Sequence, residues 1–410
     1  MTPLKSSTLL RASGESDAAL KTRQDALARL EDFAMPSGRE ELWRYVDLDF
    51  DLNEFDVAPA PDSSVEISPA SDAAGTAMVV DGAVLAAEST DPNVAIDRAL
   101  GSFESLIAAD QDIFTATHAA YGAERVDIVF ADGKAVEAPV IIDVWTTSAA
   151  ASFPAVRIRV GDGAEATVAI RLRSADDLTA LVVPHVEGSV GDNANLTVVV
   201  DQGWGRATRS IGQMVFEVGR DSSITTAEAG LGASLARWQL DIKLAGQGSN
   251  ARVLGAYFGD EDQVLDYRYV MHHAAPNTHS EMFLKGAVED EAGSVFTGMI
   301  RIDEIAQRTD AFQTNRNLIL SEGASAQSVP NLEILANDVK CGHASTVGQL
   351  DPEQRYYLMS RGLDKPSADR LQVRGFFEEA LSRFPVPAIV EPLRDRFNEK
   401  FLRAQEEGRL

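Results

Sequence analysis

Cys341 is the single cysteine among 410 residues, and His343 follows it by two positions. In an extended strand a thiol and an imidazole at i, i+2 lie on one face, a few ångströms apart. Both donors suit iron or zinc. Two ligands do not close a metal site, so an ion or cluster held here needs further donors from another chain. The competing reading is a buried structural pair, because a free cysteine packs as a small hydrophobe. One cysteine also excludes an internal disulfide and a self-contained Cys₄ or Cys₂His₂ zinc site.

The other reactive residue types are less pointed. His272 and His273 are adjacent, which in a strand sends them to opposite faces and denies them a shared metal. His273 and His279 share parity, but Pro276-Asn277 between them breaks the register. His118 and His185 stand alone, with core or surface placement as the expectation. The acidic runs Asp260-Glu261-Asp262 and Glu289-Asp290-Glu291 could line a polysaccharide-cleaving groove. Both fall between strand-like segments, where solvated loops are the simpler expectation. No G-x-x-x-x-G-K-[ST] loop occurs, and no G-x-G-x-x-G joins a strand to a helix, so ATP hydrolysis by this chain is not expected. A G-x-S-x-G elbow is also missing.

Charge narrows the partners. With 37 basic and 63 acidic residues the net charge is -26. Such a chain has no cation surplus for nucleic acid and none for an anionic membrane surface. No stretch approaches 18 uninterrupted apolar residues, and the N-terminus lacks the apolar region of a signal peptide. A cytoplasmic protein is expected.

Three regions would position these residues. The first, 1–124, reads as helical, with amphipathic spacing over 15–33 and a short amphipathic piece at 39–45. A Pro/Ala/Ser-rich exposed linker is expected near 57–75, and a helical pattern around Leu100, Phe103, Ile107 and Phe114. The second, 125–350, alternates apolar and polar residues in short runs bounded by turn formers. Small residues recur after turns at 164, 194, 222, 249, 294 and 324, mostly close to 30 apart. That period suits the stacked coils of a β-solenoid, with a β-sandwich as the alternative. The long interval from 249 to 294 requires an insertion or an extra coil. The third region, 351–410, carries 11 basic and 11 acidic residues, so the whole charge excess lies before it. Asp351 and Pro352 open a helix that stops at Gly362; Ser367 caps a second; a third starts near Glu391 with Leu393, Phe397 and Phe401 as its stripe.

Residues 337–362, NDVKCGHASTVGQLDPEQRYYLMSRG, resemble the C-terminal signature of the SufB/SufD family of iron–sulfur cluster assembly scaffold subunits. The matching residues are Cys341, His343, Thr346, Gly348, Asp351, Tyr356, Tyr357, Leu358, Ser360, Arg361 and Gly362. Upstream, residues 330–334 (PNLEI) resemble the family's preceding strand, and His273 with Thr278, Ser280 and Lys285 resembles its H-x-x-x-x-T-x-S segment. Arg39, Glu41, Trp43, Arg44 and Tyr45 resemble its R-x-E-x-W-R-[YF] element. Gly342 stands where the family usually has Ser, and Ala344-Ser345 where it has Gly-Ala. SufB-like members are longer, richer in cysteine and carry His-Glu at the signature; with one cysteine and His343-Ala344 this chain resembles the SufD branch.

The resemblance implies a mainly β fold, a right-handed parallel β-helix flanked by N-terminal and C-terminal helical regions. It implies a scaffold subunit and not an enzyme, paired with SufB through the β-helices and docked to the ABC ATPase SufC through the C-terminal helices. His343 carries over as a residue of the SufB interface implicated in nascent cluster formation, with Cys341 as a second candidate ligand. No cofactor is expected on the isolated chain, a nascent iron–sulfur cluster is expected in the complex, and flavin use is left open. Alternatives are a β-helix carbohydrate-active enzyme, the SufB-like paralogue, or a purely structural partner in which Cys341 and His343 are core.

Overall fold

Strands that alternate one apolar and one polar face must cover the apolar face, and here successive coils of the chain cover one another. The computed structural model describes residues 4–5, 9, 11–61, 72–101 and 104–406. Among them, two long sheets wind into a β-solenoid of about eight turns. The first sheet runs through Val140–Thr146, Glu165–Ser174, Asn195–Gly203, Ser223–Gly230, Asn250–Gly259, His279–Val288, Asp310–Ile319 and Lys340–Gly348, all paired parallel. The second stacks Arg209–Val218, Leu235–Leu244, Val264–His273, Gly293–Ile302 and Ser325–Ile334 in the same way.

The register explains the recurrence and corrects one part of it. Glu165, Asn195, Ser223, Asn250, His279, Asp310 and Lys340 are successive partners along the first sheet. The residues before the first four, Ala164, Ala194, Ser222 and Ser249, are the small residues noticed in sequence, and all are buried at the corner. The next corner residue is Thr278, then Thr309, whose hydroxyls touch at 3.1 Å. Positions 294 and 324 belong to the other sheet, where Ala292 and Ala324 precede the paired Gly293 and Ser325. The apparent long interval was therefore a crossing from one corner to the other, filled by one ordinary coil.

The end nearest the N-terminus is closed. Ala83–Ser89 pairs antiparallel with Gly75–Val80, and Val94–Leu100 pairs antiparallel with Glu124–Phe130. Val84, Val94 and Ile96 from these closing strands join the interior core. Residues 75–100 are thus solenoid strand where a helical region was expected. Ala-rich composition hid the alternation, and Gly101, at φ +86°, ends the strand where the apparent helical pattern began. The helix itself, α2 (Ile113–Tyr121), starts at an Asp112–Thr115 capping box. Helix α1 (Asp17–Arg29), capped by Ser16, packs with α2 against the solenoid wall. The expected exposed linker begins later than its composition suggested: Val57 bridges to Ala151, and the Ala58 amide donates to the Ala151 carbonyl at 2.8 Å. Residues 62–71 of that linker, and Phe103, lie outside the described residues.

Three helices close the chain. Helix α3 (Pro352–Ser360) is capped by Asp351 and followed by Gly362 at φ +97°. Helix α4 (Lys365–Leu381) is capped by Asp364, three residues before the expected Ser367, and the Asp364 side chain accepts from the Ser367 amide. Helix α5 (Pro387–Glu406) starts before Glu391 and carries Pro392 internally. Phe377, Phe397 and Phe401 of α4 and α5 pack on Leu254, Phe258 and Phe283 on the outer face of the first sheet.

Candidate functional site

Parallel register stacks identical faces, so an interior position can be followed from coil to coil. Ala166, Leu196, Ile224, Ala251, Ser280 and Ala311 form one interior column, and its next member is Cys341. The adjacent column is Val168, Val198, Thr226, Val253, Met282, Gln313 and then His343. Every member before the last is buried. Among the described residues no coil follows the Lys340–Gly348 strand, so Cys341 is half-buried against the core edge and His343 is exposed. The i, i+2 spacing does put both on one face. Burial pushes the Cys341 thiol up from its ordinary value. Neither side chain has a hydrogen-bond partner among the described residues. Gly342 between them leaves room for Phe312: a Cβ there would meet its ring at 2.9 Å.

The interior turns polar toward this end. Beneath His343 and its neighbours lie Gln313, Asn315 and Asn317, all nearly inaccessible. Asn317 Nδ2 donates to Asn315 Oδ1 at 2.6 Å, Asn315 Nδ2 donates to the Tyr257 hydroxyl at 3.1 Å, and that hydroxyl donates to Asn317 Oδ1 at 2.6 Å. Further in, the Tyr269 hydroxyl donates to Glu228, whose other carboxyl oxygen has no partner among the described residues. Burial raises the Glu228 carboxyl to about 8, against the opposing pull of the Tyr269 bond. Strand parity is the signal that could have marked these polar residues as interior, but it is readable only once the register is known.

Other residues singled out in sequence hold the frame. His273 lies wholly inside, its Nδ1 2.7 Å from Thr278 Oγ1 and its Nε2 2.8 Å from Ser280 Oγ, which clips one solenoid corner. Burial lowers its pKa to about 3, helped by His272 and His279. His272 points the other way and meets Asp303 at 2.8 Å, while His279 is exposed at the start of its strand. Lys285 donates to the Phe376 carbonyl at 2.9 Å and pairs with Glu379, pinning α4 to the sheet. Trp43 is buried beneath the Arg237 guanidinium, 3.9 Å from its ring, and Arg237 donates to the Leu42 carbonyl at 2.6 Å. The 39–45 element therefore anchors the N-terminal segment, with Arg39 and Arg44 exposed.

The acidic runs are not simply solvated loops. Asp260 and Glu289 are fully buried. Lys400 of α5 reaches Asp260 at 2.8 Å, Gln263 at 2.6 Å and the Leu231 carbonyl at 2.8 Å. Arg206 adds a second cation to Asp260 at 2.6 Å. Burial lowers Lys400 to about 8, with Asp260 opposing. Alternation with strands suggested loops; the helix that covers them is more than 100 residues away in sequence, and nothing local announces it. Among the described residues no three His, Cys, Asp or Glu side chains come together as a metal-holding group, and no helix is long and apolar enough to cross a membrane.

A parallel β-solenoid closed at one end, with a thiol and an imidazole on its uncovered last strand, defines the class of molecule. Comparison with known proteins narrows it. The family described as "SUF system FeS cluster assembly, SufBD core domain" matches residues 144–376. An iron–sulfur cluster assembly SufBD family protein of Mycobacterium leprae is 32% identical over 394 residues, 93% of this chain and 94% of that one. One from Mycobacterium tuberculosis is 35% identical over 270 residues, 64% of this chain and 67% of its own. The iron–sulfur cluster assembly protein SufD of Escherichia coli is 29% identical over 236 residues, 58% of this chain and 54% of its own. The chain belongs to the SufBD family of SUF-system iron–sulfur cluster assembly proteins and is most like SufD.

Proposed function

We propose that this SUF subunit is a non-catalytic scaffold that pairs end to end with a SufB-like chain and presents His343 to the iron–sulfur cluster being built between them. The observation that carries the reading is the place of His343: a core-column position that lacks its next coil. The last strands of both sheets each pair on one side only, which leaves unpaired backbone donors and acceptors available to a second solenoid. Ile334 and Val347, both in interior columns, are 40% exposed there. Cys341 and His343 offer one sulfur and one nitrogen, with the remaining ligands supplied by the partner or by sulfide.

The helices give this reading its motor contact. Helix α3 buries none of its residues and exposes Tyr356, Tyr357 and Met359, a surface suited to a SufC-like ABC ATPase. Closure of that ATPase on ATP pulls α3 and α4. The load reaches the first sheet through Lys285–Glu379 and through Arg396, which binds Asp201 at 2.6 Å. Strain at the paired ends then opens the His343 edge to iron and sulfide.

Co-expression with SufB-like and SufC-like chains, followed by anaerobic size exclusion with mass determination, tests the reading; a lone monomer or homodimer that ignores both sinks it. In the complex, His343→Ala is expected to lower cluster yield with assembly intact. Replacement of Tyr356 and Tyr357 of α3 by Ala is expected to abolish ATPase binding while the solenoid pairing survives.

A further inference from the structure

His118 and His185, isolated in sequence, meet in the fold as parallel rings, centroids 3.6 Å apart and planes 12° apart. Each is more than nine-tenths buried. Both line a cavity of about 320 Å³ between α1, α2 and the outer face of the second sheet, where His185 opens the His185–Val190 strand, paired parallel with Arg209–Val218. His118 Nε2 lies 3.4 Å from the Pro154 carbonyl, whereas neither nitrogen of His185 has a hydrogen-bond partner among the described residues. A ring nitrogen that faces a cavity without a protein partner is open to a ligand that can pair with it.

We propose that this cavity binds a small organic anion, a carboxylate with an apolar body, which accepts a hydrogen bond from His185 and is drawn in by Arg29. The rest of the lining fits that chemistry. Ile107, Val156 and Ala119 give an apolar wall. The two acidic groups present are already engaged. Asp25 pairs with Lys21, and Glu187 accepts from Arg157 at 2.8 Å, from Ser105 at 2.7 Å and from the Leu106 amide at 2.6 Å. Arg125 is held by Asp127 at 2.5 Å. Arg29, at the mouth, has no ion-pair or hydrogen-bond partner among the described residues and is the surplus charge, in a chain whose net charge is -26.

A single metal ion fits less well, because lone pairs of parallel stacked rings run side by side and do not converge at bonding distance. Burial keeps both imidazoles neutral at neutral pH, His118 at about 4 and His185 well below its ordinary value. His185 thus serves as an N–H donor without carrying charge. The site lies on the wall near the closed end and does not depend on the scaffold reading.

The test is a titration of the full chain, histidine-labelled for NMR, with benzoate and with its neutral isostere benzamide. A saturable benzoate shift at the His185 ring is expected, with benzamide weaker by about tenfold, the factor for losing one charge-assisted hydrogen bond. His185→Phe keeps the stack and should abolish benzoate binding, read by calorimetry. Arg29→Gln, at an exposed position that leaves the fold alone, should weaken it about fivefold. Absence of a saturable shift at His185, or equal benzoate affinity in the Arg29→Gln protein, would overturn the proposal.

Discussion

The two ends of the solenoid solve one problem in opposite ways. At the first end the chain folds back on itself, and antiparallel strands bring Val84, Val94 and Ile96 over the interior. At the other the parallel ladder stops, leaving Cys341, His343 and Val347 in columns that everywhere else are buried. A stack of coils must be capped to remain soluble alone. The bare end is the one that the scaffold reading proposed above gives to a partner.

The same kind of substitution at each end tests that contrast. Ile96→Asp places a charge under the cap and should cost on the order of 4 kcal/mol, read as a fall in the urea midpoint; a change too small to measure would mean that the closing strands do not seal the interior. Next in size, Lys400→Ala removes one cation from buried Asp260 and unlatches α5, at about 3 kcal/mol. Faster proteolysis of α4 and α5, with the solenoid core intact, should accompany it.

Between the two ends, Glu228→Gln probes the polar stretch of the interior. The folded carboxyl titrates at about 8 against an ordinary 4.5, so folding takes up a proton between those values. The Glu228 contribution to stability is full below pH 4.5, falls as pH rises through the window and is lost above 8. The Gln protein should lack that slope, which at its steepest is about tenfold in the folding constant per pH unit. Parallel stability–pH curves for the two proteins would contradict a neutral Glu228. Smallest of all, Val347→Asp at the bare end should change the stability of the isolated chain by less than about 0.5 kcal/mol while abolishing pairing with a SufB-like chain. Pairing that survives would move the interface elsewhere.

Much of this was legible in sequence because a solenoid repeats its constraints. Turn, small residue and alternation recur with each coil, and the signature around Cys341 and His343 marked the final strand. What escaped was long-range. The closing strands read as helical because Ala95 and Ala99 favour helix as readily as strand. Asp260 and Glu289 read as loop charges because their cover, α5, arrives at the far end of the chain. The 249-to-294 interval misled because two corners of one coil carry similar small residues, and only hydrogen-bond register separates them. The pairing of His118 with His185 was invisible for the same reason: a helix and a strand 67 positions apart meet only in the fold.

The stacking also makes the solenoid a ruler. Helix α4 grips the His279–Val288 strand through Lys285, and the Lys340–Gly348 strand lies two ladder steps beyond it. At a strand spacing of about 4.8 Å that sets the Lys285 grip of α4 roughly 10 Å from the His343 edge along the axis. Insertion of one whole coil of about 30 residues between them would preserve every local rule of the fold, yet displace the edge by a full step. Coil number in that short stretch therefore sets the distance from the α4 grip to the edge, whereas coils nearer the cap leave that distance unchanged.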